Sequence, residues 1–66
     1  MNQLASIPDD EILTVPQVAK YLKIGRSKAY YMVSRKQLPY FRLGKNLRVR
    51  RKDLIAWIES KLEKVQ

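Results

Sequence analysis

Cysteine and histidine are both absent from this sequence of 66 residues. Without cysteine there is no disulfide framework and no thiolate metal site. Without histidine the commonest general base and the commonest metal ligand are missing too. Acids are scarce, six against fourteen lysines and arginines, which leaves a formal net charge of +8. Asp9, Asp10 and Glu11 hold half of them near the start; Asp53, Glu59 and Glu63 lie near the end. That distribution offers no acid–base pair, so the composition argues against an enzyme and names no catalytic residue. It calls for no metal, no cofactor and no small-molecule ligand. No apolar run approaches the ~18 residues of a membrane span, and the opening residues lack the basic and apolar regions of a secretory signal. The expected location is therefore cytoplasmic, away from membranes.

A chain this short buries only about 60% of the surface its unfolded form exposes, so it must rest on one compact apolar core. What fills the space left by the acids is cationic. Between Glu11 and Asp53 stand Lys20, Lys23, Arg26, Lys28, Arg35, Lys36, Arg42, Lys45, Arg48, Arg50, Arg51 and Lys52, with no carboxylate among them. A segment of that kind sets up a field that attracts a polyanion. The competing reading is a solvated basic surface that only maintains solubility.

Residues 1–12 show no period and read as a loose arm, with Ile12 and Leu13 at its end near the core; residues 13–66 read as one domain. Thr14 and Gln17 form a Thr-x-x-Gln capping box, and Pro16 falls in the first helical turn, where its missing N–H costs nothing. Val15, Val18, Ala19 and Leu22 follow at helical spacing. Gly25 is expected to supply the backbone angles of a tight turn. A second helix should run from about Arg26 to Arg35 or Lys36, with Ala29, Met32 and Val33 inward. Two short helices joined through a glycine turn are the helix-turn-helix pattern.

The period then changes. Pro39 ends the helical stretch, and Tyr40–Leu43 and Leu47–Arg50 suit strands around a Gly44-Lys45-Asn46 connection, with glycine and asparagine supplying positive φ. Alternation predicts one docked apolar face of Phe41, Leu43, Leu47 and Val49, and one cationic face of Arg42, Arg48 and Arg50. A final helix should start near Arg51, with Leu54, Ile55, Trp57, Ile58, Leu62 and Val65 on a wide apolar face and Trp57 as a core anchor. The fold class is α+β, mainly α: a small winged helix-turn-helix with two N-terminal helices, a two-stranded hairpin wing and a C-terminal helix.

With Ala29, Met32 and Val33 inward, a 100° step per residue turns Ser27, Tyr31 and Ser34 outward. Tyr30 reads instead as a partly buried core aromatic. An outward face with Arg26, Ser27, Lys28, Tyr31, Ser34 and Arg35 suits the major groove of duplex DNA, where cations donate to guanine and hydroxyls reach bases or phosphates. The hairpin adds Arg42, Lys45, Asn46, Arg48 and Arg50, placed to lie along phosphates or enter the minor groove. If about five to seven phosphates are neutralised, the log–log salt slope should be about −4.5 to −6.

Thr14-Val15-Pro16-Gln17-Val18-Ala19-Lys20-Tyr21-Leu22-Lys23-Ile24-Gly25-Arg26-Ser27-Lys28-Ala29-Tyr30 resembles the opening of the excisionase-family helix-turn-helix domain. Leu38-Pro39-Tyr40-Phe41-Arg42-Leu43-Gly44 with Leu47-Arg48-Val49 is similar to that family's wing, and Asp53-Leu54-Ile55-Ala56-Trp57-Ile58 to its last helix. The resemblance covers about residues 13–62. It implies a winged relative of the MerR-type DNA-binding domain. Members of the family include recombination directionality factors, which bind and bend DNA beside a phage or transposon integrase, and small transcriptional regulators of mobile elements. Carried over by position, Arg26, Ser27, Lys28 and Tyr31 match the recognition helix, and Arg42, Lys45 and Arg48 the wing. The chain departs at Gly25, where the family often has a capping serine, and at Leu47, where it often has an aromatic residue. The implied partners are double-stranded DNA, an integrase or recombinase, and further copies bound cooperatively on DNA; the implied setting is the nucleoid. A basic module for RNA or for an acidic protein is the reading from another class, weakened by the lack of a strip of exposed aromatics for stacking.

Overall fold

A computed structural model describes residues 11–63. The order of elements is β1 (Ile12–Thr14), α1 (Val15–Leu22), α2 (Arg26–Ser34), β2 (Phe41–Leu43), β3 (Asn46–Arg50) and α3 (Arg51–Lys61). The hairpin is joined by a third strand. β3 is central, with β1 and β2 antiparallel on either side. Ile12, expected at the end of an arm, is instead paired with Arg50, and Leu13 with Val49. The Arg51 N–H donates to the Glu11 carbonyl at 2.8 Å, so the same ladder fixes the start of α3. Arm residues 1–10 and Val65 lie outside the described residues.

Local chemistry sets the ends of α1. The Thr14 hydroxyl accepts from the Gln17 N–H at 3.2 Å, and Gln17 Oε1 accepts from the Thr14 N–H at 2.9 Å, completing the capping box. At the other end Lys23 takes the left-handed conformation, φ 59°. Its N–H donates to Lys20 and that of Ile24 to Ala19, which closes the last turn. Gly25 does not make that turn: it has φ −67° and opens α2 with no side-chain cap. The end of α2 repeats the device with Lys36 at φ 59°, where Lys36 and Gln37 donate to Val33 and Met32 at 2.9 and 2.8 Å. Lysine at both sites accepts strain that glycine would not have.

Leu13, Val15, Val18, Ala19, Ala29, Val33, Leu38, Val49 and Leu54 form the buried core. Leu22, Ile24, Met32, Tyr40, Leu47, Trp57 and Ile58 pack around it half-buried. Trp57 thus anchors α3 against the core, with Lys61 Nζ 5.5 Å from its ring centre. Leu62 falls outside this apolar face, beyond the end of α3 and 67% exposed.

The hairpin register differs from the expected one by a single residue. Leu43 pairs with Asn46, Arg42 with Leu47 and Phe41 with Arg48, which leaves a two-residue turn of Gly44 and Lys45. Gly44 alone supplies positive φ there (62°), the glycine-first pattern of a type II′ turn; Asn46 is the first residue of β3. Cross-strand partners share a face, so shifting the pairing by one residue exchanges the faces of β2. Arg42 therefore lies on the inner side with Leu47, Val49 and Leu13. Phe41 and Leu43 lie on the outer side with Arg48 and Asn46, and Leu43 is 58% exposed.

Candidate nucleic-acid interface

The second helix is a short rod with one narrow buried stripe, Ala29 and Val33, and Met32 half-buried beside it. Everything else on it faces out. Arg26, Ser27, Lys28, Tyr31, Ser34 and Arg35 are all exposed, as the outward-face reading requires. Tyr31 is 55% exposed, with the Arg35 guanidinium carbon 5.5 Å from its ring centre. Ser34 Oγ donates to the Tyr31 carbonyl at 2.7 Å, so that hydroxyl is turned back onto its own helix. The first turn of α2 holds no acidic residue, and no side chain caps it. Its N–H groups and helix dipole thus point outward beside Arg26 and Lys28, an arrangement favourable to anions.

Tyr30 is not a core aromatic. It is 45% exposed, because Ala29 and Val33 are too small to carry the buried stripe around to its position about 100° away. It borders two clefts. One lies between α2 and the hairpin, where Ser27, Tyr30, Tyr31 and Ser34 face Lys36, Tyr40, Arg42 and Leu47. The other opens between the start of α1 and the wing, where Thr14, Val15 and Pro16 meet Tyr30, Lys45, Asn46, Leu47 and Arg48. Among the described residues no carboxylate lines either cleft. Tyr30, Lys36 and Tyr40 line the cleft between α2 and the hairpin without standing among the candidates that the sequence offers. The signal for Tyr30 was the smallness of alanine and valine in the stripe; Lys36 and Tyr40 depend on how the chain returns from α2 to β2.

The wing residues divide by the register. Arg42 is exposed on the α2 side of the hairpin, with Lys45 in the turn and Asn46 beside it. Arg48 is half-buried, and its Nη1 donates to the Leu47 carbonyl at 2.7 Å. Arg50 pairs with Asp53 (Nε to Oδ2 3.3 Å), both side chains 48% exposed. An ion pair so exposed adds little stability, but it occupies Arg50 and turns it toward α3.

Among the described residues no cluster of acidic side chains could hold a metal ion, and no helix is long and apolar enough to cross a membrane. No curated protein and no solved structure matches the chain. A family model described as a helix-turn-helix domain matches residues 12–62, from the first residue of β1 to just beyond α3. The chain belongs to that family, and the membership supports DNA binding.

Proposed function

We propose that this helix-turn-helix chain binds double-stranded DNA sequence-specifically, as an excisionase-like directionality or architectural factor of a mobile element, acting at the nucleoid. In this reading α2 enters the major groove with Arg26, Ser27, Lys28 and Tyr31 toward the bases, while Ser34 and Arg35 meet the flanking backbone. Arg42, Lys45 and Asn46 follow the neighbouring phosphates or minor groove. Arg48, at the border of the cleft beside α1, strengthens the field from the outer side of the sheet, and Arg50, paired with Asp53, adds little to it. The observation that carries the reading is the coincidence of α2, the hairpin tip and two clefts that no carboxylate lines among the described residues. An integrase and further bound copies are the partners that an architectural role requires.

The test begins with selection of a preferred site from random duplexes. Lys28→Ala and Tyr31→Ala should then reduce discrimination between the selected and scrambled sites, by about 1–3 kcal/mol where a base contact is lost. Lys45→Ala should weaken both about equally. No loss from any of the three removes the placement. A small transcriptional regulator would make the same contacts; bending of the selected duplex on binding separates it from an architectural factor.

A further inference from the structure

The outer face of the three-stranded sheet meets the cleft beside α1 at Thr14, Asn46 and Arg48. It extends beyond that cleft through Ile12, Phe41, Leu43 and Arg50, with a composition unusual for a solvated face. The register places Ile12 beside Arg50, Thr14 and Phe41 on either side of Arg48, and Leu43 beside Asn46. Ile12 is 45% and Leu43 58% exposed. Phe41 is half-buried, yet it is not among the side chains that pack on the core, as its neighbour Tyr40 and its strand neighbour Leu47 are. Single exposed apolar residues need no explanation. Three on one small face, bordering a central cationic column, form a surface with two chemistries. Protection of a sheet edge accounts neither for the arginines, which stand on the central strand, nor for the isoleucine, phenylalanine and leucine beside them.

We propose that this face docks an acidic amphipathic helix of a partner protein, with its carboxylates along β3 and its apolar side chains on both flanks. Charge selects an anionic partner, because Arg48, which meets no carboxylate among the described residues, stands in the middle column beside Arg50, whose exposed pair with Asp53 is weak enough to be exchanged. Three apolar flanking residues favour a protein over DNA, since a phosphate backbone has nothing to place against Ile12, Phe41 and Leu43. The dimensions fit a helix. Residues two apart on a strand are about 6.7 Å apart, close to the roughly 6 Å rise between carboxylates at i and i+4 of a helix. The columns of β1 and β2 stand about 9.6 Å apart across β3, which matches the ~10 Å width of a helix with its side chains. Arg50 already holds a carboxylate at Asp53, so its guanidinium is oriented for that chemistry. The surface lies opposite the side that carries Arg42, so one chain could hold DNA and this partner together.

The probe is a short fluorescein-labelled peptide of repeating Glu-Leu-Gln-Leu-Glu-Ala-Gln, which breaks strand alternation and sets a glutamate stripe between leucines on a helix. The control is a peptide of equal charge in which serine replaces each leucine. Amide shifts in the full chain should concentrate at Ile12, Phe41, Leu43, Arg48 and Arg50. The serine control should bind about tenfold more weakly, and so should the leucine peptide to the Ile12→Thr, Leu43→Thr double variant. Both substituted residues are exposed and threonine suits a strand, so the variant should keep its fold, which its amide spectrum verifies, and its affinity for duplex DNA. Equal binding of the two peptides, or shifts confined to α2 and Arg42, overturns the proposal. So does a duplex that perturbs Ile12, Phe41 and Leu43 as strongly as it perturbs α2, which would make this face part of the DNA site.

Discussion

Salt dependence gives the sharpest measurement of which cations meet DNA. Arg26, Lys28 and Arg35 project from α2, Lys36 and Arg42 border the cleft beside it, and Lys45 lies in the hairpin turn; all are exposed. If each neutralises one phosphate, about six counterions leave and the log–log slope is about −0.9 × 6, or −5.4. Raising salt from about 50 to 200 mM then lowers affinity by roughly 10³-fold. Lys45→Ala should bring the slope to about −4.5, and Lys28→Ala with Lys45→Ala to about −3.6. Arg50→Ala should leave it within about 0.3 of the parent value, because Asp53 already compensates that charge on the opposite side of the sheet. The assay is fluorescence anisotropy with a labelled duplex across a salt series, repeated for each variant. A parental slope shallower than about −3 refutes the count. A drop for Arg50→Ala equal to that for Lys45→Ala refutes the assignment of faces.

The remaining predictions concern stability. Leu54 is fully buried at the junction of α3 with the core, so Leu54→Ala should cost about 2–5 kcal/mol. That is comparable to the whole stability expected of so small a domain, and urea titration followed by circular dichroism should find a substantially unfolded population. Thr14→Ala removes the hydroxyl that accepts from Gln17 and should cost about 1 kcal/mol, lowering Tm by roughly 4–8 °C. Lys23→Gly relieves the left-handed backbone at φ 59°. It should stabilise by about 0.5–1 kcal/mol, raising Tm by roughly 2–8 °C in a thermal scan.

Features written in short-range chemistry are legible in the sequence. The capping box of α1 has both partners three residues apart, and the outward face of α2 follows from a helical step applied to Ala29, Met32 and Val33. The start of α3 at Arg51 follows from the change of period after β3. The misplaced turns show where local reading runs out. Gly25 is the obvious residue for a left-handed turn, yet Lys23 and Lys36 take that conformation. What decides is where each helix must stop so that Ile24 and Leu38 can pack on the core. Burial of those side chains outweighs a backbone penalty of about 1 kcal/mol. Strand β1 was hidden for a similar reason. Three residues, Ile12–Thr14, are too few to show alternation, and their pairing depends on β3, which lies more than thirty positions downstream.

The hairpin shows how much function can turn on one residue of loop length. A three-residue connection would pair Leu43 with Leu47 and set all four apolar side chains inward, as alternation suggests. The two-residue turn at Gly44-Lys45 pairs Leu43 with Asn46 instead. Two opposing preferences meet here: burial favours the first register, while the glycine-first turn matches the right-handed twist of the strands and favours the second. The turn prevails because Val49 and Leu47 already fill the inner face, and β2 adds only three residues at an edge. The exchange has two consequences at once. It moves Arg42 beside Tyr30 and Tyr31, where a second cationic contact joins α2, and it leaves Phe41 and Leu43 on the outer face beside the arginines of β3. The cleft proposed to face DNA and the surface proposed for an acidic helix are thus products of the same turn. Deleting Lys45 leaves Gly44 and Asn46 as a two-residue, glycine-first turn that pairs Leu43 with Leu47, and should impair both.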